Sequence, residues 1–320
     1  MKKLLHGLAV VSSLIVAPLA QAETYPDRPI KLLVPLAAGS AVDVVARLVA
    51  DKMGEQLGQR PYVESMPGAA GLIGMRTGAR SAPDGYTVIV PNDSVLTMLP
   101  NLKADAGYDP FIDFIPVTQL VGIPLGQIAN PSFPAKDIAD LIRMAKEKPN
   151  AISYASGGPG SPQHIGMELF MRAAGIQMTH VPYRGVTPAV QDVVGGQVPI
   201  MLTAMSAVPA LLPDKRVRLL AATTEKRLPQ FLDTPTLAET VPGFAFSAWC
   251  AFMVPAKTPP EIVQKLNAAT HAALNDPAVS KRLTELGFVV APTTPEQLGA
   301  FLKQEYTRTG NLIKEANIQQ

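Results

Sequence analysis

Ile152-Ser153-Tyr154-Ala155-Ser156-Gly157-Gly158-Pro159-Gly160-Ser161-Pro162 is the stretch that decides the fold. Ile152 to Tyr154 reads as a short strand and Ala155 to Gly160 as a glycine-rich loop. Ser161 then caps a helix whose first position is Pro162, where a missing N–H costs nothing. Strand, loop and helix in that order form the repeating unit of a parallel sheet covered by helices. Glycine lets the main chain approach a ligand closely. The helix start behind it adds unpaired N–H groups and the positive end of the helix dipole. A carboxylate or phosphate held there is neutralised without any charged side chain, and Ser156, Ser161 and His164 are further hydrogen-bonding groups. The plainer reading of the same residues is a well-capped βα turn.

The device also occurs earlier in the chain. Ile30 to Val34 is a strand, Pro35-Leu36-Ala37-Ala38-Gly39-Ser40 is a loop of small residues, and Ser40 with Asp43 forms a capping box. Val45, Leu48, Val49 and Met53 follow at helical spacing. Asp43 reads as a helix-start charge rather than a ligand contact. Tyr62 to Glu64 and Tyr86 to Val90 are further strands, with Pro67 to Gly71 a loop before a helix that ends near Arg80. Asn92, Asp93 and Ser94 follow the third strand, either lining the same cleft or simply capping a short helix toward Leu99.

Downstream of residue 150 the pattern continues. Met178 to Val181 is a strand, followed by a loop over Pro182 to Val186. In that loop Tyr183 can stack on or hydrogen-bond a ligand, and Arg184 either clamps a carboxylate with two parallel bonds or sits in solvent. Thr187-Pro188 is expected to open the next helix and Gly195-Gly196 to end it. Val198 to Leu202 and Val217 to Ala222 are strands, and Thr203 and Ser206, just past the first, each offer one hydroxyl. Thr258-Pro259, Asp276-Pro277 and Thr294-Pro295 open the helices of the tail. Ile115 to Ile128 and Ala245 to Val254 are expected to cross between the two β-α blocks. Two crossings make two lobes around a cleft, with residues 23–120 and 249–320 in lobe 1 and 121–248 in lobe 2. The expected class is α/β, each lobe a mainly parallel sheet flanked by helices.

Residues 1–22 have the three parts of a secretory signal: Lys2 and Lys3, an apolar run from Leu8 to Leu19, and Ala20-Gln21-Ala22 as the cleavage site. The apolar run is too short to span a membrane. Cleavage after Ala22 would deliver the protein to the periplasm. It would also remove two of the 28 basic residues, leaving 26 against 26 acidic, so nothing electrostatic favours nucleic acid or a membrane surface. One cysteine, Cys250, permits no internal disulfide; with Trp249 it reads as hinge or core packing.

Enzymatic signatures are missing from the chain. The glycine loop lacks the Gly-Lys-Ser/Thr ending of a nucleotide-binding P-loop and the G-x-S-x-G pattern of a hydrolase elbow. His6 leaves with the signal and His271 lies in a distal helix. Neither His164 nor His180 has a Cys, Asp or Glu at metal-ligand spacing, so no metal, cofactor or catalytic residue is expected. The main reading of these residues is a receptor that holds a small anion between two lobes. Its rivals are a ligand-sensing subunit for a membrane kinase and, less favoured, an exported enzyme, which would need a nucleophile and base that the sequence does not supply.

A series of ordered features resembles the Bug, or tripartite tricarboxylate transporter, periplasmic receptors. They include Tyr25-Pro26, Asp43 with Ala46-Arg47, Pro67-Gly68-Ala69, Ala82-Pro83-Asp84-Gly85-Tyr86-Thr87, Tyr154-Ala155-Ser156 with Gly158 and His164, Thr179-His180-Val181-Pro182-Tyr183, Gly195-Gly196-Gln197-Val198 and Asp233-Thr234-Pro235-Thr236. The resemblance implies a type II periplasmic binding fold with two hinge crossovers, a carboxylate between the lobes, a membrane permease as partner and a monomeric state. It also implies that the loops at Leu36 to Ser40, at Asn92 and at Ser156 line the pocket. Two departures stand out. The family's Pro-Phe-Pro-Pro-Gly-Gly is replaced by Pro35 to Ser40, and Thr203 stands where an aspartate is frequent. Without that aspartate a ligand ammonium loses its partner, so a dicarboxylate or aromatic carboxylate is favoured over an amino acid.

Overall fold

The computed structural model describes residues 25–103 and 105–315, and the expected signal segment lies outside the described residues. The chain begins with β1 (Lys31–Val34), α1 (Ala41–Leu57), β2 (Tyr62–Ser65), α2 (Leu72–Ala79) and β3 (Thr87–Ile89). A π-helical turn over Ser94–Met98 runs into α3 (Leu99–Leu102), and β4 (Phe114–Ala129) follows. Next come α4 (Ile138–Glu147), β5 (Ser153–Ser156), α5 (Pro162–Ala174), β6 (Thr179–Pro182), α6 (Val186–Val194), β7 (Ile200–Ala204), β8 (Arg218–Ala222) and α7 (Leu237–Thr240). The chain returns through β9 (Ser247–Pro255) to α8 (Pro260–Asn275), α9 (Pro277–Glu285), β10 (Val289–Val290) and α10 (Pro295–Glu315).

Local chemistry accounts for these elements. Ser40 caps α1 by accepting from the Asp43 N–H, and Gly58 ends the helix in the left-handed conformation that glycine tolerates best. Asp43 completes the cap one residue early: its carboxylate accepts from the Gly39 N–H at 3.0 Å rather than from Ser40. Leu32, Leu33 and Val34 of β1 are all fully buried, because helices cover both faces of the strand. Ser161 caps α5, with Pro162 in its first turn, and Asp276 caps α9 through the Ala278 and Val279 N–H groups. Thr294 and Gln297 exchange cap bonds at the start of α10.

β2, β1 and β3 are parallel neighbours, as are β6, β5 and β7. The strands that join them add antiparallel ladders. The first part of β4 pairs with β9, and its last residues, Leu125 to Ala129, pair with β7. One 16-residue strand therefore serves two sheets. Apolar side chains collect accordingly. Val45, Val49 and Met53 of α1 pack with Leu266 and Phe252, and Leu72, Met75 and Trp249 fill the other face of that sheet. Tyr154, Phe170, Leu202 and Phe246 form the centre of the second region, with Ala155, Met201 and Val193 on its far side. Met98 and Ile313 pack into this second core although Leu99 and Leu302 belong to the first. The Ser94–Leu102 segment and the end of α10 therefore contact both regions.

Several boundaries differ from the sequence reading. Helix α6 starts at Val186 with Gly185 at its N-cap, not at Thr187-Pro188, since Gly185 at φ +123° turns the chain two residues sooner. Pro259, not Thr258, precedes α8; the Thr258 hydroxyl instead donates to the Pro255 carbonyl at 2.7 Å. β5 extends through Ser156 and β7 through Ala204, so Ser156 and Thr203 are strand residues. Helix α4, capped by Asp137, lies in a stretch where no helix was anticipated.

Candidate functional site

The carboxyl ends of the parallel strands are where open α/β sheets place ligands, because loops there precede helix starts. At the end of β5 the Ser156 side chain is fully buried. Its Oγ lies 2.6 Å from His180 Nε2 and accepts from the Gly158 N–H at 3.0 Å. The Gly160 N–H donates to His164 Nδ1 at 3.2 Å, and the Ser161 N–H to the Gly158 carbonyl at 3.1 Å. Two of the glycine N–H groups that the sequence offered to a ligand are thus engaged inside the loop. Gly157 is different: its N–H has no partner among the described residues. An added Cβ there would lie 3.4 Å from Gln163 Oε1.

Three aromatic rings support this loop from behind. His164 and His180 stack with centroids 4.0 Å apart and planes 6° apart, and Tyr154 stacks on His180 at 5.0 Å. Tyr154 and His180 face each other in register on β5 and β6. Burial lowers His164 to about 3, with the neighbouring His180 adding to the effect, and burial lowers His180 to about 4. Both rings are therefore neutral at pH 7. Glu168 is raised by burial, and its carboxylate accepts from the Tyr154 hydroxyl at 2.5 Å.

Ser94 of the first region reaches this loop directly. Its hydroxyl donates to the Gly160 carbonyl at 2.8 Å. Gly160 itself lies against α3, where an added Cβ would stand 2.7 Å from Leu102 and 3.2 Å from Leu99. Leu36 is drawn in as well, since Gly71 packs between Val95, Pro35 and Leu36. Asn92 bridges to Cys250, a fully buried thiol on β9. Asp93 is 2% exposed, and burial pushes its carboxyl up to about 8, so it is mainly uncharged at pH 7.

Three buried polar atoms around these loops have no hydrogen-bond partner among the described residues: Asp93 Oδ1, Gln163 Oε1 and Thr203 Oγ1. Such atoms are rare in folded proteins and cost about 1–3 kcal/mol each. Gln163 was missed in the sequence because a glutamine in a first helical turn carries no distinctive signal. The Pro67–Gly71 loop was expected from the sequence, but not that its Ala69 and Ala70 take φ values of +47° and +56°, a left-handed conformation costly for alanine.

Other expected residues are placed differently. Ala37, Ala38 and Gly39 are exposed at the tip of their loop, and the Ser40 N–H closes back on the Ala37 carbonyl at 3.1 Å. The Tyr183 hydroxyl donates to Asp192 at 2.6 Å, so it is already engaged. Arg184 is exposed, and Ser206 sits half-buried in a 3-10 turn after β7. Among the described residues no cluster of three or more His, Cys, Asp or Glu is arranged to hold a metal, and no helix is long and apolar enough to cross a membrane. Two surface grooves, of about 670 Å³ beside Arg143 and Pro242 and about 390 Å³ beside Phe133 and Pro199, lie on the outer face of the second region.

Residues 45–318 match the model of the tripartite tricarboxylate transporter family receptors. The chain belongs to that family. BugT of Bordetella pertussis is 33% identical over 315 residues, covering 97% of this chain and 95% of its own. A UPF0065 protein of Pseudomonas sp. strain P51 is 34% identical over 316 residues, 98% of this chain and 94% of its own. Among solved structures, an R. palustris protein with adipate superimposes with a TM-score of 0.88 at 32% identity, covering 92% of this chain and 99% of its own. The periplasmic binding protein BugD gives 0.85 at 34% identity, with the same coverage. MatC of Rhodopseudomonas palustris with bound malate gives 0.82 at 32% identity, over 90% of this chain and all of its own. The receptor family and these neighbours are solute-binding proteins, and the α/β fold with helix-flanked sheets is the one they share.

Proposed function

We propose that this receptor captures a small dicarboxylate in a cleft between two lobes and delivers it, closed, to the membrane subunits of a tripartite tricarboxylate-type transporter. The observation that carries this reading is the 2.8 Å bond from the Ser94 hydroxyl to the Gly160 carbonyl, which joins a strand-end loop of one region to the glycine loop of the other. On this reading lobe 1 comprises residues 23–120 and 249–320, lobe 2 comprises 121–248, and β4 and β9 are the hinge strands. The Ser94–Leu102 segment and the end of α10 straddle the boundary.

Anion capture rests on main-chain donors and neutral side chains. The free Gly157 N–H, the opening turns of α1 and α5, and the side chains of Gln163, Thr203 and Asp93 are the groups assigned to the ligand. Because Asp93 is mainly uncharged at neutral pH, it does not repel a carboxylate. Adipate and malate, carried by two of the similar structures, are both dicarboxylates, which favours that class over an aromatic acid. The protein is assigned to the periplasm after cleavage behind Ala22, acting as a monomer without catalytic turnover. Thermal-shift screening of the mature protein against a carboxylate panel that includes malate, adipate and aspartate tests this, because a ligand stabilises the state it binds by mass action. A rise with a dicarboxylate and none with aspartate is expected; preferential stabilisation by an amino acid overturns the ligand assignment.

A further inference from the structure

His164 and His180 lie behind the glycine loop, and the ligand assignment above leaves their stacking unexplained. Their contacts run in series from the interior of lobe 2 to the surface of lobe 1. Tyr154 stacks on His180, and His180 stacks on His164. His180 Nε2 meets the Ser156 hydroxyl at 2.6 Å, while His164 Nδ1 accepts the Gly160 N–H at 3.2 Å. On the other side of Gly160, its carbonyl accepts from Ser94 across the interlobe boundary. One short segment is thus held by a ring nitrogen from behind and a hydroxyl from in front. A ring nitrogen accepts a hydrogen bond only when it carries no proton, so the arrangement requires the neutral Nε2–H tautomer of His164. The groups facing that ring are His180 from β6, Tyr154 beyond it on β5, and Glu168 from its own helix, whose Oε1 lies 3.7 Å from His164 Nε2.

We infer that His164, backed by the stacked His180, is the positioning residue of an interlobe latch. By holding the Gly160 N–H it presents the Gly160 carbonyl to Ser94, and the lobes lock through that bond when ligand draws them together. The role is distinct from ligand contact: the ring acts through Gly160, and its effect falls on the closed state. This inference rests on the two-lobe closing receptor proposed above.

The two readings are separated by interlobe distances. Spin labels at Gln56→Cys on α1 and Lys146→Cys on α4 are exposed, whereas the native Cys250 is buried and escapes labelling. Distances are recorded without ligand and with saturating malate or adipate. The backgrounds are wild type, His164→Asn, His164→Leu and Ser94→Ala. Asparagine places an amide oxygen where Nδ1 stands and keeps the acceptor; leucine fills the space without one. The short-distance population is expected to rise with malate or adipate in wild type and His164→Asn. It should fall at least fivefold in His164→Leu and in Ser94→Ala, and the Leu/Ala double variant should lose no more than either single. Equal closure in the Asn and Leu variants, or additive losses in the double, overturns the latch. A wild-type distance that neither dicarboxylate changes overturns the receptor reading itself.

Discussion

Replacing Gly160 by alanine tests the proposed lobe closure separately from fold stability. Gly160 sits at φ +71°, where an alanine costs roughly 1–2 kcal/mol in any state of the protein. Its new Cβ would also stand 2.7 Å from Leu102 Cδ1 and 3.2 Å from Leu99 Cδ2, both on α3. That second cost exists only when the glycine loop and α3 are together, and overpacking of this kind is worth about 1–3 kcal/mol. The proposed ligand-driven closure is therefore expected to lose the same amount, a roughly 5- to 150-fold weaker apparent affinity. Gly175→Ala is the control. It has φ +62° and nothing within 4 Å of an added Cβ, so it carries the backbone cost alone. Calorimetry with the dicarboxylate that stabilises wild type, alongside melting curves, reads both terms. Gly160→Ala should lose affinity well beyond Gly175→Ala while their melting temperatures fall comparably. Equal affinities for the two variants would refute the reasoning.

Arg184→Ala is expected to leave dicarboxylate affinity within about twofold, since this exposed side chain is given no role in the main-chain capture proposed above; a tenfold loss by calorimetry contradicts that. His164 and His180 have folded values below their ordinary 6.5, so the unfolded chain binds protons that the native state refuses. Stability is therefore complete above about pH 6.5 and falls on acidification, with His164 alone contributing roughly 3 kcal/mol of loss by pH 4.5. Urea midpoints against pH should show this slope and His164→Asn should flatten it. Asp93 behaves oppositely in sign. Its folded value near 8 against an ordinary 3.8 means stability falls as pH rises from about 4 to 8. Asp93→Asn should stabilise the protein at pH 8 by on the order of 5 kcal/mol, read from the same urea curves; an unchanged midpoint contradicts a protonated Asp93.

Much of the fold was legible because local signals agreed with the tertiary structure. Ser40 and Ser161 mark helix starts, and Asp276-Pro277 and Thr294-Pro295 do the same in the tail. Ile115 to Ile128, expected to cross between the blocks, falls within β4, and Ala245 to Val254 largely coincides with β9. Where glycine competed with a polar cap, as at Gly185 before Thr187-Pro188, the local rule misplaced the boundary. The glycine loop was legible as a main-chain device, but its internal bookkeeping was not. That the Gly158 and Gly160 N–H groups are taken by Ser156 and His164 depends on side-chain direction. The stack of Tyr154, His180 and His164 depends on the β5–β6 register, which no single segment encodes. Ser94 meeting Gly160 is a contact between residues 66 positions apart, set by how the two sheets share β4.

A crystal structure of the mature protein with the dicarboxylate that stabilises it most tests the central claim directly. One carboxylate is expected within hydrogen-bonding distance of the Gly157 N–H, enclosed between the Ser94 and Gly160 loops. A ligand seated instead in the outer groove beside Arg143 and Pro242, with the space between those loops unchanged, would contradict it.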